Sequence, residues 1–180
     1  VLAILVIVMG VGTFLSMIGN AAELFLSKRE HENRMQKLNM VIGLFFSELG
    51  TSLLTVCSDA DPEREKLNAA LPDKREWEKE DFRRARRRLK ECEFQLDPDR
   101  VDLEELLSLL RGQRHFVVQL LENPAVMEHE DFTDVLWAVF HLVDELEARE
   151  DVSDLISFDR AHIIGDVQRV YRRLVLQWLG

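Results

Sequence analysis

The chain opens with a long apolar stretch, since no residue from Val1 to Ala22 carries a charge. As an α-helix these residues would extend about 33 Å, which is close to the hydrocarbon thickness of a bilayer. Positive charge follows the stretch instead of preceding it, which is not the order found in a secretory signal peptide. The pattern therefore predicts a transmembrane helix, and the basic residues behind it predict a cytoplasmic location for the rest of the chain. These basic residues are Lys28, Arg29, Arg34 and Lys37.

The sequence begins with Val in the middle of an apolar run and has no initiator Met. We therefore expect it to be a fragment of a longer, multi-pass protein of the cell inner membrane or plasma membrane.

A heptad-like apolar stripe follows the transmembrane stretch, between residues 28 and 57. It predicts a juxtamembrane helix and a neck through which several copies of the chain assemble about one axis. Between Asn39 and Ser58 the only charge is Glu48, so this part must be buried. Three burial modes fit, in decreasing order of preference: an oligomer core, the core of a monomeric helical domain, or a segment under the bilayer. The neck residues of the stripe are Met35, Leu38, Ile42, Phe45 and Leu49, and Val56 continues it one heptad later.

Residues 58–180 contain further helical stripes separated by proline-containing breaks. Residues 58–75 hold two prolines and many charges and predict a loop with at most one short helical turn. Asp102, with Glu105 three residues later, predicts a capped helix start, and Asn123-Pro124 predicts its end. Two more amphipathic helices are expected at about 131–149 and after Ser157. The predicted fold is all-α, with one transmembrane helix (1–27), a neck (28–57) and a cytoplasmic bundle of about four or five helices (58–180).

Composition limits the partners of the chain. The formal net charge is -10, from 33 acidic and 23 basic side chains, which argues against nucleic-acid binding. Six positive charges lie between Arg83 and Lys90, but acidic neighbours at helical spacing favour a salt-bridged, solvated helix over a site for anionic lipid headgroups. Two cysteines in 180 residues are no disulfide framework and fit a reducing compartment.

Two strings near the N-terminus carry a resemblance to a known family. These are Val6 to Phe14 (VIVMGVGTF) and, after a small and apolar stretch, Glu23 to Glu30 (ELFLSKRE). Together they resemble the inner, pore-lining helix of prokaryotic two-transmembrane potassium channels, over about the first 30 residues. The resemblance implies a homotetramer in the lipid bilayer, with K⁺ as the permeant ion. It also implies that Gly10 and Gly12 form a gating hinge, because glycine is a common bending point in helices.

The resemblance further implies a pore lining below the hinge, formed by Thr13, Leu15, Ile18, Gly19 and Glu23. For the glycines, close helix packing or simple tolerance within a membrane helix is an alternative. Glu23 has two interpretations, a ring of carboxylates that attracts cations or an ordinary interfacial residue beside Lys28.

The chain departs from this family in two respects. It contains no Thr-Val-Gly-Tyr-Gly selectivity filter, which in the family lies upstream of the inner helix together with the pore helix and outer helix. No Gly-x-Gly-x-x-Gly motif occurs either, so the nucleotide-binding regulatory domain common behind such helices is not expected. The sequence thus predicts a channel fragment with an unfamiliar gating or assembly domain and an unidentified gating ligand. The alternative is a membrane-anchored helical interaction or sensor module without a pore.

Enzymatic chemistry is not indicated by any motif. No nucleophile is accompanied by a base and an orienting group, and no phosphate-binding glycine loop is present. His141 and Glu145 share a helix face and Asp144 is adjacent, but a third metal ligand is not evident from the sequence. A structural or surface role is therefore expected for them, and neither a metal nor another cofactor is predicted.

Overall fold

A computed structural model describes residues 2–71 and 76–179, with side chains from residue 16 onward. The chain divides into two compact units, Val1–Met40 and Val41–Gly180. Most of the described residues are helical and none forms a β-strand, which confirms the all-α prediction for this part of the chain. The helices are α1 (Leu2–Phe45), a π-helical turn (Phe46–Gly50), α2 (Thr51–Ala60), α3 (Arg64–Ala69), α4 (Lys79–Glu91), α5 (Leu103–Leu121), α6 (Pro124–Met127), α7 (Glu130–Glu147) and α8 (Ser157–Trp178).

The first unit consists of α1 up to Met40, and its described side chains are mostly exposed. Large apolar side chains are among them, each more than half exposed: Met17, Ile18, Leu24, Phe25 and Leu26. Isolated exposed apolar residues are common on proteins, but a run of them on one helix marks a surface that lipid or another protein covers. By length and composition, one helical run in the described part, Ser16–Ala60, is able to cross a membrane.

The core of the second unit is built by α5, α7 and α8, with α7 packed against both of the others. All seven positions for which the 3.6-residue period predicts burial in α7 are buried. They are Phe132, Val135, Leu136, Val139, Leu142, Val143 and Leu146. In α8 the apolar positions that recur at helical spacing are buried from Ile163 to Leu174, whereas Trp178 in the last turn is 54% exposed. Trp178 lines an apolar surface pocket together with Leu54 and Leu67.

Helix ends in the second unit follow the capping residues of the sequence. The Asp102 carboxylate accepts hydrogen bonds from the backbone N–H groups of Glu104 and Glu105 at 3.0 and 2.9 Å, as the predicted capped start requires. Asn123 caps α6, and Pro124 occupies the first position of that helix and ends α5. The N-cap of α7 is His129, whose Nδ1 accepts from the backbone N–H of Phe132 at 3.1 Å. This hydrogen bond gives His129 a structural role.

Among its described residues, the segment between α2 and α4 contains a short helix within the expected loop. Helix α2 continues to Ala60, and Arg64–Ala69 form α3. Asp61 explains why a helix forms directly after the break, because its Oδ1 accepts a hydrogen bond from the Glu63 backbone N–H at 2.7 Å and turns the chain at Pro62. The charged residues of this segment are then compatible with a short, solvated helix.

A π-helical turn, Phe46–Gly50, joins α1 to α2. Its widened hydrogen-bonding pattern is reinforced by Thr51, whose hydroxyl donates to the Phe46 carbonyl at 2.7 Å. Three aromatic rings pack at the turn: Phe45 lies edge-on to Phe46 and also edge-on to Phe132 of α7, with ring centroids 5.4 Å apart in both pairs. Single π-turns inside helices are rare and occur frequently at functional sites.

Both cysteines of the chain are free thiols, and they lie in different environments. Cys57 of α2 is 1% exposed, while Cys92 at the end of α4 is half-buried. The two thiols therefore differ in their access to solvent.

Candidate functional site

The predicted hinge and part of the predicted pore lining fall among residues whose side chains the structure does not describe. Gly10, Gly12, Thr13 and Leu15 belong to the α1 backbone, and nothing is described of their surroundings. Ile18, Gly19 and Glu23 are exposed on the surface of α1. Their assignment to a pore therefore stays a prediction.

The five neck residues fall into different environments. Met35 is 37% exposed and Leu38 is buried, and both belong to the first unit. In the second unit Ile42 is half-buried, while Phe45 and Leu49 are fully buried. Phe45 and Leu49 are thus buried in the core of a single chain, which is the second of the three burial modes considered from the sequence. Assembly of several copies about the neck stays a prediction.

Two imidazoles and two carboxylates meet on the surface between α7 and α8. Asp166 Oδ2 lies 3.8 Å from His141 Nε2 and 3.5 Å from His162 Nε2. Glu145 lies opposite, with Oε1 3.9 Å from His141 Nε2 and Oε2 3.8 Å from His162 Nε2. We call these four residues the His–carboxylate cluster. The imidazoles are about half exposed, whereas the Asp166 side chain is only 3% exposed.

Arginines contact both carboxylates of the cluster. Arg169 Nη1 donates to Asp166 Oδ1 at 2.5 Å, and Arg149 Nη1 donates to Glu145 Oε2 at 3.0 Å. Arg149 is fixed in turn by Asp159, with Nη2 to Oδ1 at 2.8 Å and Nε to Oδ2 at 3.3 Å. The Arg149 guanidinium holds the pKa of Glu145 and of Asp159 below their ordinary values, chiefly through these hydrogen bonds.

Buried Asp166 has one oxygen without a hydrogen bond. Its Oδ1 is satisfied by Arg169, whereas Oδ2 is buried and has no hydrogen-bond partner. Buried polar atoms usually have such a partner, so an exception needs an explanation. The unsatisfied oxygen is the one that faces the two imidazoles.

Sequence reasoning detected half of this cluster. The sequence places His141 and Glu145 on one helix face, but the adjacent acid, Asp144, instead forms an ion pair with Arg114 of α5 at 2.9 Å. The missing half is His162 and Asp166, which repeat the same His-x-x-x-acid spacing on α8. Two copies of that spacing, on helices that follow each other in the chain, are the signal that identifies the cluster.

Within the part of the chain that the structure describes, three of the six basic side chains in the α4 run, Arg83, Arg86 and Arg87, form ion pairs with acids. Arg83 and Arg87 both contact Glu80, at 3.4 and 3.5 Å, and Arg86 reaches Asp131 of α7 at 2.7 Å. These pairs agree with the salt-bridged helix that the acidic neighbours favour. Each of these ion pairs contributes little to the stability of the fold, because its acidic side chain is largely exposed to solvent.

Removal of Arg149 is expected to reduce the sensitivity of the fold to acid. Because Arg149 lowers the folded-state pKa values of Glu145 and Asp159, their ionised forms stabilise the fold at pH values above the ordinary carboxyl pKa range, and this stabilisation is lost as the pH falls below that range through the lowered values. The melting temperature of Arg149→Met should therefore lie below that of the wild type at pH 7, and the difference should shrink on acidification. Circular dichroism melts from pH 7 to pH 3 measure this.

The matched control for this prediction is Arg83→Met, which removes an arginine that is 73% exposed and pairs with exposed Glu80. It should change the melting temperature little at any pH. A gap between wild type and Arg149→Met that stays constant down to pH 3 would contradict the assigned role of Arg149.

Comparison with known proteins finds one family model that covers most of the chain. Residues 34–180 match the model described as "Uncharacterized protein MJ1433, C-terminal helical domain". The chain is also similar to "Uncharacterized protein MJ1433" of Methanocaldococcus jannaschii, with 38% identity over 158 residues. This alignment covers 88% of the chain and 63% of the relative, so the chain spans less than two thirds of that protein's length. No solved structure matches the chain.

Proposed function

We propose that the chain has two functional parts that meet at about residue 34, because it belongs to the MJ1433 C-terminal helical domain family, whose model matches residues 34–180. Residues 34–180 form a cytoplasmic gating and assembly module, and the apolar helix before them is the inner, pore-lining helix of a homotetrameric potassium channel. The outer helix and selectivity filter belong to the part of the channel that precedes this helix. The module conducts nothing itself and carries no enzymatic activity in this proposal.

The observation that supports this proposal is the extent of α1. One helix contains the apolar stretch, the basic residues behind it and Phe45, whose ring is fully buried in the core of the second unit. A helical segment is a stiffer connection than a Gly/Ser-rich linker. Rearrangement of the helical domain would thus act on the span through α1, and Gly10 would be the point at which the span bends.

Membrane insertion is supported by the exposed apolar side chains of residues 17–26 and by the length of the helical run. The basic residues Lys28, Arg29, Arg34 and Lys37 favour a cytoplasmic location of the residues behind them. Lipid and the other three copies of the helix would share the exposed apolar surface.

Gly10→Ala in the full-length gene product is expected to change open probability strongly and unitary conductance little. Alanine favours a straight helix by about 1 kcal/mol, so four subunits together would oppose bending by about 4 kcal/mol. That free energy corresponds to a shift of roughly a thousandfold in the ratio of open to closed channels. Single-channel recording in planar bilayers with K⁺ solutions measures both quantities.

Gly43→Ala is the matched control, because it makes the same replacement in α1 at a position where an added Cβ meets nothing within 4 Å. It should leave gating nearly unchanged. Unaltered gating in Gly10→Ala would overturn the hinge. Absence of K⁺ current from wild-type protein that is inserted in the bilayer would overturn the channel and leave a membrane-anchored interaction or sensor module as the function.

A further inference from the structure

We propose that the His–carboxylate cluster between α7 and α8 binds a divalent transition-metal ion, with Zn²⁺ the best fit. The ligands would be the Nε2 atoms of His141 and His162 and one carboxylate oxygen each of Glu145 and Asp166. This site is independent of the proposed channel function, because it lies within the second unit and needs no pore.

The first argument is the spacing of the ligand atoms. The four imidazole-to-carboxylate separations lie between 3.5 and 3.9 Å. Hydrogen bonds from imidazole to carboxylate are shorter, near about 2.8 Å, so these atoms face one another without being bonded. Around a tetrahedral Zn²⁺ with bonds of about 2.0–2.1 Å, neighbouring ligand atoms are about 3.4 Å apart. The observed separations exceed this by about 0.1–0.5 Å, which small side-chain rotations can close.

The second argument is the unsatisfied oxygen of Asp166. Its Oδ2 is buried, has no hydrogen-bond partner and faces the two imidazoles, while Arg169 occupies Oδ1. An anionic oxygen kept in this state costs free energy unless a cation or donor compensates it. A metal ion between the imidazoles supplies that compensation.

The third argument is the support around the ligands. Metal-binding carboxylates are usually oriented by further hydrogen bonds, and here Arg149 donates to Glu145 and Arg169 to Asp166. The carboxylates of Glu145, Asp166 and Asp159 outnumber these two guanidiniums by one, so the surroundings retain a negative charge. The half-exposed imidazoles leave the cluster accessible from solvent.

In this proposal the four side chains of the His–carboxylate cluster move closer together when the metal ion binds. Within residues 2–71 and 76–179, no group of three or more His, Cys, Asp or Glu side chains is arranged to hold a metal ion, so the four ligand side chains would have to move towards one another on binding. Two imidazole nitrogens and two carboxylate oxygens suit Zn²⁺, Co²⁺ or Ni²⁺ and are a poor match for Ca²⁺ or Mg²⁺, which prefer oxygen ligands alone. Binding would link α7 to α8 directly.

The test uses the full chain purified in detergent, freed of metal by a chelator and titrated with Zn²⁺ in a calorimeter. We expect one ion per chain and a rise in melting temperature on binding. His141→Gln and His162→Gln should each weaken binding by roughly 10-fold or more, and the double variant by roughly 100-fold or more. Co²⁺ in place of Zn²⁺ should give the intense visible absorption of a four-coordinate ion.

Two further variants separate a metal site from an ion-pair network. His115→Gln removes an exposed histidine of α5, outside the cluster, and should leave Zn²⁺ affinity unchanged. Asp166→Asn should weaken binding by roughly 10-fold even if it folds as stably as the wild type. Failure of the wild type to bind Zn²⁺, or equal binding by the wild type and the His141→Gln/His162→Gln double variant, would overturn the proposal. Neither result bears on K⁺ currents, which test the proposed channel function separately.

Discussion

Replacing Phe45 with alanine is expected to lower the free energy of unfolding of the second unit by about 3–5 kcal/mol. The Phe45 ring is fully buried and packs edge-on against Phe132 of α7 and against Phe46. Truncation removes this apolar contact and leaves a cavity that the neighbouring rings fill only in part. Because domains have total stabilities of about 5–15 kcal/mol, the loss would be a large fraction of the whole.

Tryptophan fluorescence during urea unfolding measures this loss in the full chain. All three tryptophans, Trp77, Trp137 and Trp178, belong to the second unit, so the signal reports on that unit alone. Leu44→Ala is the matched control, since Leu44 precedes Phe45 in α1 but is 49% exposed. Its effect should stay within about 0.5 kcal/mol. Similar losses in both variants would show that Phe45 does not anchor α1 in the core.

The second large effect is expected at Gly50, the last residue of the π-helical turn. A Cβ added there would lie 2.6 Å from Cδ1 of Phe46 and 3.0 Å from Cε1 of Phe45, which is closer than carbon atoms approach without displacement. Alanine gains about 1 kcal/mol of helix propensity over glycine, but overpacking against two rings costs about 1–3 kcal/mol. Since the tightest contact is with the Phe46 ring, which packs edge-on against the fully buried Phe45 ring, we expect Gly50→Ala to destabilise the unit.

Gly43→Ala isolates the steric part of this prediction. The same replacement seven residues earlier meets nothing within 4 Å, so it should raise stability by up to about 1 kcal/mol through helix propensity alone. The two variants are therefore expected to shift the urea midpoint in opposite directions. If both raised it, the close approach of the rings to Gly50 would not constrain the turn.

The sequence predicts the main helices because their signals are local. Burial along α7 follows directly from the 3.6-residue period, and the limits of α5 follow from Asp102 at its start and from Asn123-Pro124 behind its end. The π-helical turn has no such signal. It depends on the Thr51 hydroxyl and on rings brought together by tertiary packing, neither of which changes the apolar period.

The His–carboxylate cluster could be predicted only in part for a related reason. Spacing along one helix places His141 beside Glu145 and His162 beside Asp166, but it does not fix which turns of α7 and α8 face each other. That register is set by the apolar contacts between the two helices. The pairing of Asp144 with Arg114 likewise depends on the packing of α5.

The contrast between the two thiols has a practical consequence. Cysteine reagents attack an accessible thiolate, which Cys57, enclosed in the core, does not present. A maleimide dye or nitroxide label should therefore attach to the folded chain at position 92 and not at position 57. Within these 180 residues Cys92 thus provides one attachment point at the end of α4, from which distances between copies can be measured without added cysteines.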